Sequence, residues 1–149
     1  MFSIILSGSI GDGYSVASSI ALGADFAYLG TRFIATKEAN ADPEYKKMLE
    51  DSAANDIVYS SLFTGGHGNY LKPSIVNAGM DPENLPEADK STMNFGSGGN
   101  TKSKAWKDIW GCGQGIGRIE DSPPVADLVN RLSEEFKDAK DAFIMKSGS

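Results

Sequence analysis

Apolar residues fall along the chain in short blocks whose spacing alternates between continuous and helical. Residues 2–6 form a nearly continuous apolar run of strand type, followed by the glycine-rich turn Ser7-Gly8-Ser9-Ile10-Gly11-Asp12-Gly13. Over residues 14–22, Val16, Ala17, Ile20 and Ala21 recur at helical spacing, and Gly23 stands where a helix C′ glycine belongs. A second apolar run, residues 25–29, stops at Gly30-Thr31. The order is β-loop-α-β, and two strands joined by one helix pair in parallel through a right-handed crossover. Neither strand alternates cleanly, which predicts a parallel sheet buried on both faces.

Two further helices follow from their start signals. Asp42-Pro43-Glu44 supplies an N-cap, a proline at N1 and an acid in the first turn, with Tyr45, Met48 and Leu49 as the buried stripe. Ser122-Pro123-Pro124 opens the last helix, whose stripe is Val125, Leu128, Val129, Leu132 and Phe136, with Asp127 and Arg131 as an i,i+4 pair on the wet side. Residues 56–60 are a candidate third strand. From residue 63 to 117 the pattern is weak, apart from a short segment at 106–110, and residues 96–117 alone hold seven glycines. A stretch this long without regular structure reads as a functional loop or as a segment covered by something else. Its aromatic and aliphatic content is too high for a solvated linker.

The organisation expected is a βαβ unit with the following helix at 1–62, a glycine-rich lid at 63–120 and a C-terminal helix at 121–146. Two clear parallel strands and one candidate do not make a sheet with two covered faces. The chain therefore reads as part of a larger fold or of an obligate assembly that supplies the missing strands.

Composition narrows the classes. Hydrophobic residues at 40% and charged residues at 23% of 149 positions exclude a disordered or fibrous chain. No apolar run approaches the ~20 residues of a membrane-spanning helix. The first six residues lack a basic n-region and read as a strand, not a signal peptide. A net charge of −6 argues against nucleic-acid or anionic-membrane partners, since no basic surplus exists to neutralise phosphates. One cysteine and one histidine exclude a disulfide framework and a Cys/His metal site, so no metal is expected. A reducing, cytoplasmic setting is the default. Glycine is the unusual count, 17 residues, about one in nine where about one in fourteen is usual.

Those glycines bear on chemistry. A glycine-rich loop that leaves a strand and opens a helix is a place to hold phosphate, because backbone N–H groups converge, the helix dipole favours negative charge and missing Cβ atoms admit the anion. The loop at 8–13 fits, although its G-x-x-G-x-G spacing is not the dinucleotide fingerprint. Gly30-Thr31, at the end of the next strand, adds a backbone N–H and a hydroxyl to the same cradle. In barrels of eight βα units the loops after strands seven and eight recurrently form a phosphate site. The plainer reading is a pair of ordinary tight turns.

Three segments, Leu6-Ser7-Gly8-Ser9-Ile10-Gly11-Asp12-Gly13, Ala21-Leu22-Gly23-Ala24-Asp25 and the run from Gly30-Thr31-Arg32-Phe33 through Lys37-Glu38-Ala39, together resemble the nitronate monooxygenase family, formerly 2-nitropropane dioxygenases. Trp106-Lys107-Asp108-Ile109-Trp110 and Gly113-Gln114-Gly115 are similar to its C-terminal segment, and the resemblance runs in order to about Phe136. It implies an α/β fold, the C-terminal part of a (β/α)8 TIM barrel comprising the last two parallel strands. It implies a flavoprotein oxidoreductase with FMN as cofactor, which oxidises alkyl nitronates with O2 to a carbonyl compound and nitrite. By position, Ser7, Gly8 and Ser9 would bind the FMN phosphate together with Gly30 and Thr31, and Gln114 resembles a residue near the flavin ring. One departure is Ser9, which stands where the family has a second adjacent glycine; binding is expected to survive if φ there is negative. The family's first six strands and its catalytic histidine would precede Met1, so the catalytic residues are unassigned. Two alternatives stay open: an FMN-dependent enoyl reductase acting on acyl-carrier-protein substrates, and a non-catalytic FMN-binding fragment that self-associates through exposed strand edges.

Other residues have plainer readings. His67, in Thr64-Gly65-Gly66-His67-Gly68, mimics the family's glycine-flanked histidine but follows the phosphate strands, and reads as a loop histidine. The segment from Gly96 to Ser103 hints at a P-loop but has Thr101 where glycine is required. Arg32 could approach a phosphate or form a salt bridge to a neighbouring helix. Trp106 and Trp110 share a helical face and read as packing. Cys112 has no close basic neighbour and reads as unreactive.

Overall fold

The computed structural model describes residues 2–86 and 108–148. They form two units, Met1–Asp51 with Gly113–Ser149, and Ser52–Cys112.

The first unit opens with β1 (Ile5–Ser7), α1 (Gly13–Ala21) and β2 (Phe26–Tyr28). The strands pair in parallel, Ile5 opposite Phe26, Leu6 opposite Ala27 and Ser7 opposite Tyr28. Both ends of α1 follow from local sequence. Asp12 caps the start by accepting the Ser15 N–H at 2.7 Å, while the Ser15 hydroxyl accepts the Asp12 N–H at 3.1 Å, a reciprocal capping box. At the far end Gly23 adopts φ +99°. Its N–H bonds to the Ile20 carbonyl and that of Ala24 to the Ser19 carbonyl, a complete Schellman closure.

Beyond β2 come the single-turn α2 (Thr31–Ile34), α3 (Pro43–Asp51) and, after the other unit, a 3₁₀ turn (Gln114–Arg118) and α5 (Val125–Ser147). Asp42 starts α3 as its sequence implies, accepting the Glu44 N–H at 2.8 Å. Helix α5 begins where Ser122-Pro123-Pro124 points, but Ser122 does not cap it. That hydroxyl donates to Glu50 at 2.6 Å, and the Glu38 carboxylate takes the orphan N–H of Val125 at 2.9 and 3.0 Å. Helices α1 and α5 cross at Gly13, where a Cβ would lie 2.2 Å from the Leu132 carbonyl oxygen. The core of this unit includes Leu49, Ile116, Ile119 and Leu128.

Two expectations are corrected here. The parallel strands are not covered on both faces: Ile5, Phe26 and Tyr28 are 58–64% exposed, since two three-residue strands and the elements around them leave an apolar face open. Arg131 does not pair with Asp127 along the helix; it grips Asp121 with two bonds of 2.7 and 2.9 Å, a planar fork that a rotated helical neighbour cannot match.

In the second unit, the candidate strand at 56–60 is β3 (Ile57–Ser60), and it pairs antiparallel with β4 (Gly68–Leu71), not with the parallel strands. Helix α4 (Lys72–Asn77) follows directly. Tyr70, Ile75 and Ile109 form the core, with Val58, Phe63, Met80 and Leu85 packed on it.

Candidate functional site

The loop after β1 turns through two successive residues of positive φ, Gly8 at +102° and Ser9 at +56°. The condition attached to Ser9 is thus not met: it sits in the left-handed region that glycine occupies freely and serine enters at a cost. Gly115 approaches the Ser9 backbone closely there, and a Cβ on it would lie 2.9 Å from the Ser9 carbonyl oxygen. Such strain is typical of loops shaped around a ligand.

The loop after β2 meets the first. Thr31 accepts the Gly113 N–H at 2.7 Å, which orients its hydroxyl and leaves that group's own proton to donate. Between the two loops is a cavity of about 160 Å³ lined by Ser7, Gly8, Ser9, Gly30 and Thr31 together with Gly113 and Gly115. Five of the six residues singled out by sequence come together here. Gln114 does not line the cavity; it is exposed at the start of the 3₁₀ turn, and its two flanking glycines take the wall instead.

The lining is chemically suited to a phosphoryl group. The space is well below the ~300 Å³ at which pockets for drug-sized molecules begin. A Cβ at Gly8 or Gly30 would meet nothing within 4 Å, so the backbone there is open to an approaching anion. Among the described residues no backbone carbonyl or side chain takes the backbone N–H of Ser9, Gly30 or Thr31, while the parallel pairing of Ser7 with Tyr28 turns the Gly8 N–H toward the Tyr28 carbonyl. The hydroxyls of Ser7, Ser9 and Thr31 add donors.

The N-terminus of α1 is not part of this cradle, contrary to the picture of a helix dipole aimed at the anion. Asp12 caps it, and Glu135 from α5 accepts the Gly13 N–H at 2.7 Å. Two carboxylates already hold the donors an anion would need.

Arg32 resolves between its two readings as a salt bridge. It is 3% exposed and donates to the Asp121 carboxylate at 2.9 Å and to the carbonyls of Ala35 and Asp121 at 3.1 Å each. Burial lowers its pKa from the ordinary value and the Asp121 charge offsets this. Asp121 is held below the usual carboxylate range, first by its hydrogen bonds from Arg131. Sequence reasoning could not reach this arrangement, because the partner lies 89 residues away.

In the second unit His67 is exposed and stacks on Tyr59, with centroids 4.9 Å apart. Burial pushes the Cys112 thiol up to about 12. Trp110 donates its backbone N–H to the Ser74 hydroxyl at 3.1 Å. Trp106 and the P-loop-like segment lie outside the described residues.

A family model described as nitronate monooxygenase matches residues 3–135. The chain is 31% identical over 140 residues to a nitronate monooxygenase of Paraburkholderia phytofirmans and 29% identical over 149 residues to one of Neurospora crassa. These alignments cover 90% and 91% of this chain. It spans 38% of the length of each. Among solved structures it is similar to a nitroalkane oxidase from Streptomyces ansochromogenes (TM-score 0.71, 27% identity, 95% of this chain and 41% of that one). It also shares the fold of FabK from Thermotoga maritima (TM-score 0.67, 21% identity, 96% of this chain and 47% of that one). The α/β fold is that of the C-terminal part of a (β/α)8 barrel.

Proposed function

Since the chain belongs to the nitronate monooxygenase family, we propose that it forms the FMN phosphate site of a flavin-dependent oxidoreductase that oxidises alkyl nitronates with O2 to a carbonyl compound and nitrite. The observation that carries this reading is the convergence of Ser7, Gly8, Ser9, Gly30 and Thr31 on one small cavity, where the backbone N–H groups of Ser9, Gly30 and Thr31 are not taken up by the fold. When bound, the flavin supplies the electron-transfer chemistry of the reaction.

The residues themselves bind and orient. Backbone N–H groups at Ser9, Gly30 and Thr31 donate to phosphate oxygens without a formal positive charge, as phosphate-binding loops do, and Gly8 lets the anion approach. The Thr31 hydroxyl donates a further bond while the Gly113 N–H fixes its rotamer. Arg32 contributes positive potential from the wall but is committed to Asp121, so its role is to hold α2 in place. The open apolar face of β1 and β2 supports a reading in which further barrel strands cover it.

A chimera tests the proposal. This chain would replace the aligned segment of the Paraburkholderia enzyme, and nitrite release from an alkyl nitronate would be followed in the presence of O2 without NAD(P)H. The expected result is flavin retention and nitrite production. A folded chimera that retains flavin but releases no nitrite overturns the substrate assignment, and one that retains no flavin overturns the phosphate site.

A further inference from the structure

The segment Gly113-Gln114-Gly115 touches both arms of the cavity. The Gly113 N–H donates to Thr31 on the β2 side at 2.7 Å. Gly115 packs against the Ser9 backbone on the β1 side, so tightly that a Cβ would fall 2.9 Å from the carbonyl oxygen, 3.0 Å from the carbonyl carbon and 3.2 Å from Cα. The same turn also meets the base of the loop, since a Cβ on Gly11 would lie 3.1 Å from the Gly115 carbonyl oxygen. The atoms an added Cβ would meet are backbone, so they cannot yield by turning a side chain. Ser9, whose φ of +56° is unfavourable for a serine, lies directly under this contact.

We infer that Gly115 is a positioning residue for the phosphate site: by clasping the Ser9 backbone while Gly113 holds Thr31, this strap sets the spacing of the two loops whose N–H groups face the anion. The inference rests on the phosphate reading above and deepens it. It also gives the glycines around Gln114 a purpose independent of any contact with the flavin ring. A Cβ at Gly115 must displace Ser9 by several tenths of an ångström. That is enough to lengthen and misalign a charge-assisted N–H···O bond to phosphate, which weakens steeply with angle. Because Ser9 sits where only glycine is free of strain, replacing it by glycine lets the loop settle around the added methyl.

The experiment compares FMN with riboflavin, which has the same ring and ribityl chain but no phosphate. Flavin fluorescence titrations would be run on the parent chain, Gly115→Ala, Ser9→Gly and the double variant. For Gly115→Ala the FMN Kd should rise about tenfold, the loss of one good charge-assisted bond, while the riboflavin Kd stays within twofold. The double variant should recover most of the FMN affinity. If Gly115→Ala weakens both flavins equally, the effect is general structure and the inference fails. If it weakens neither, Gly115 positions nothing and the inference also fails. A parent chain that binds FMN no better than riboflavin, or binds neither, overturns the phosphate reading itself and the inference with it.

Discussion

Replacing Asp121 by asparagine removes a charge from the one buried guanidinium described in the fold. Arg32 would keep its bonds to the Ala35 and Asp121 carbonyls, both 3.1 Å, and an asparagine oxygen could still accept from Nη2. It would lose the carboxylate charge at 2.9 Å and face Arg131, whose charge already disfavours it. Breaking a fully buried pair costs about 3–5 kcal/mol. Here the carboxylate is 44% exposed, so solvent screening and the retained acceptor reduce the figure to about 2 kcal/mol. Urea unfolding followed by far-UV circular dichroism reads this as a lower midpoint at constant slope. The same substitution predicts a pH effect. Asp121 titrates below its unfolded value, so its stabilisation is complete above about pH 4 and is lost as pH falls through the depressed folded value. The parent should therefore lose stability on acidification below about pH 4, and the variant should lack that part of the loss. A destabilisation under ~0.5 kcal/mol with an unchanged acid profile would show that the carbonyls alone hold Arg32, and would refute the reasoning.

Three further outcomes are expected. Ser9→Gly removes a left-handed strain of about 1–2 kcal/mol against an unfolded-chain entropy penalty of about 0.5–1 kcal/mol, for a net gain near 0.5 kcal/mol in urea unfolding; a loss above ~1 kcal/mol would contradict the strain. Gly13→Ala places a Cβ 2.2 Å from the Leu132 carbonyl oxygen and 2.6 Å from the Phe136 nitrogen, forcing α1 and α5 apart at a cost of about 3 kcal/mol, and a change under ~1 kcal/mol in the same assay would show that the helices cross elsewhere. Cys112, with its thiol pushed up to about 12 by burial, should react with iodoacetamide at pH 8 at least about a hundredfold more slowly in the native chain than in urea, whereas equal rates would show an open thiolate.

Much of the first unit was legible from local signals. Gly23, Asp42 and Pro124 mark helix ends by chemistry that acts within four residues, and the structure uses each of them at those ends; the Asp12 cap of α1 goes unread in the glycine-rich turn that holds it. The residues that meet around the 160 Å³ cavity were legible as strand-end loops, because a parallel βαβ unit brings such loops to one edge. What local pattern could not carry is what depends on distant partners. Strand β4 has only Tyr70 and Leu71 as apolar residues and owes its pairing to β3 across a seven-residue turn. Helix α4 starts at Lys72-Pro73 directly after that strand, with no spacer to announce it. The burial of Arg32 depends on Asp121, and the cap of α5 comes from Glu38, 87 residues upstream. The positive φ of Ser9 is not announced by the serine itself; the pointer to it is the family's glycine at that position, and the close approach of Gly115 has no local signal.

The most direct test of the phosphate cradle is a fluorescence titration of the purified chain, freed of carried-over flavin, with FMN, in parallel with Thr31→Arg. Thr31 lines the cavity and is anchored by the Gly113 N–H, so an arginine there fills the space the anion needs. Saturable quenching by the parent and its loss in the variant are expected. Saturable binding of equal strength in both would place the flavin away from Ser7, Gly8, Ser9, Gly30 and Thr31 and contradict the cradle.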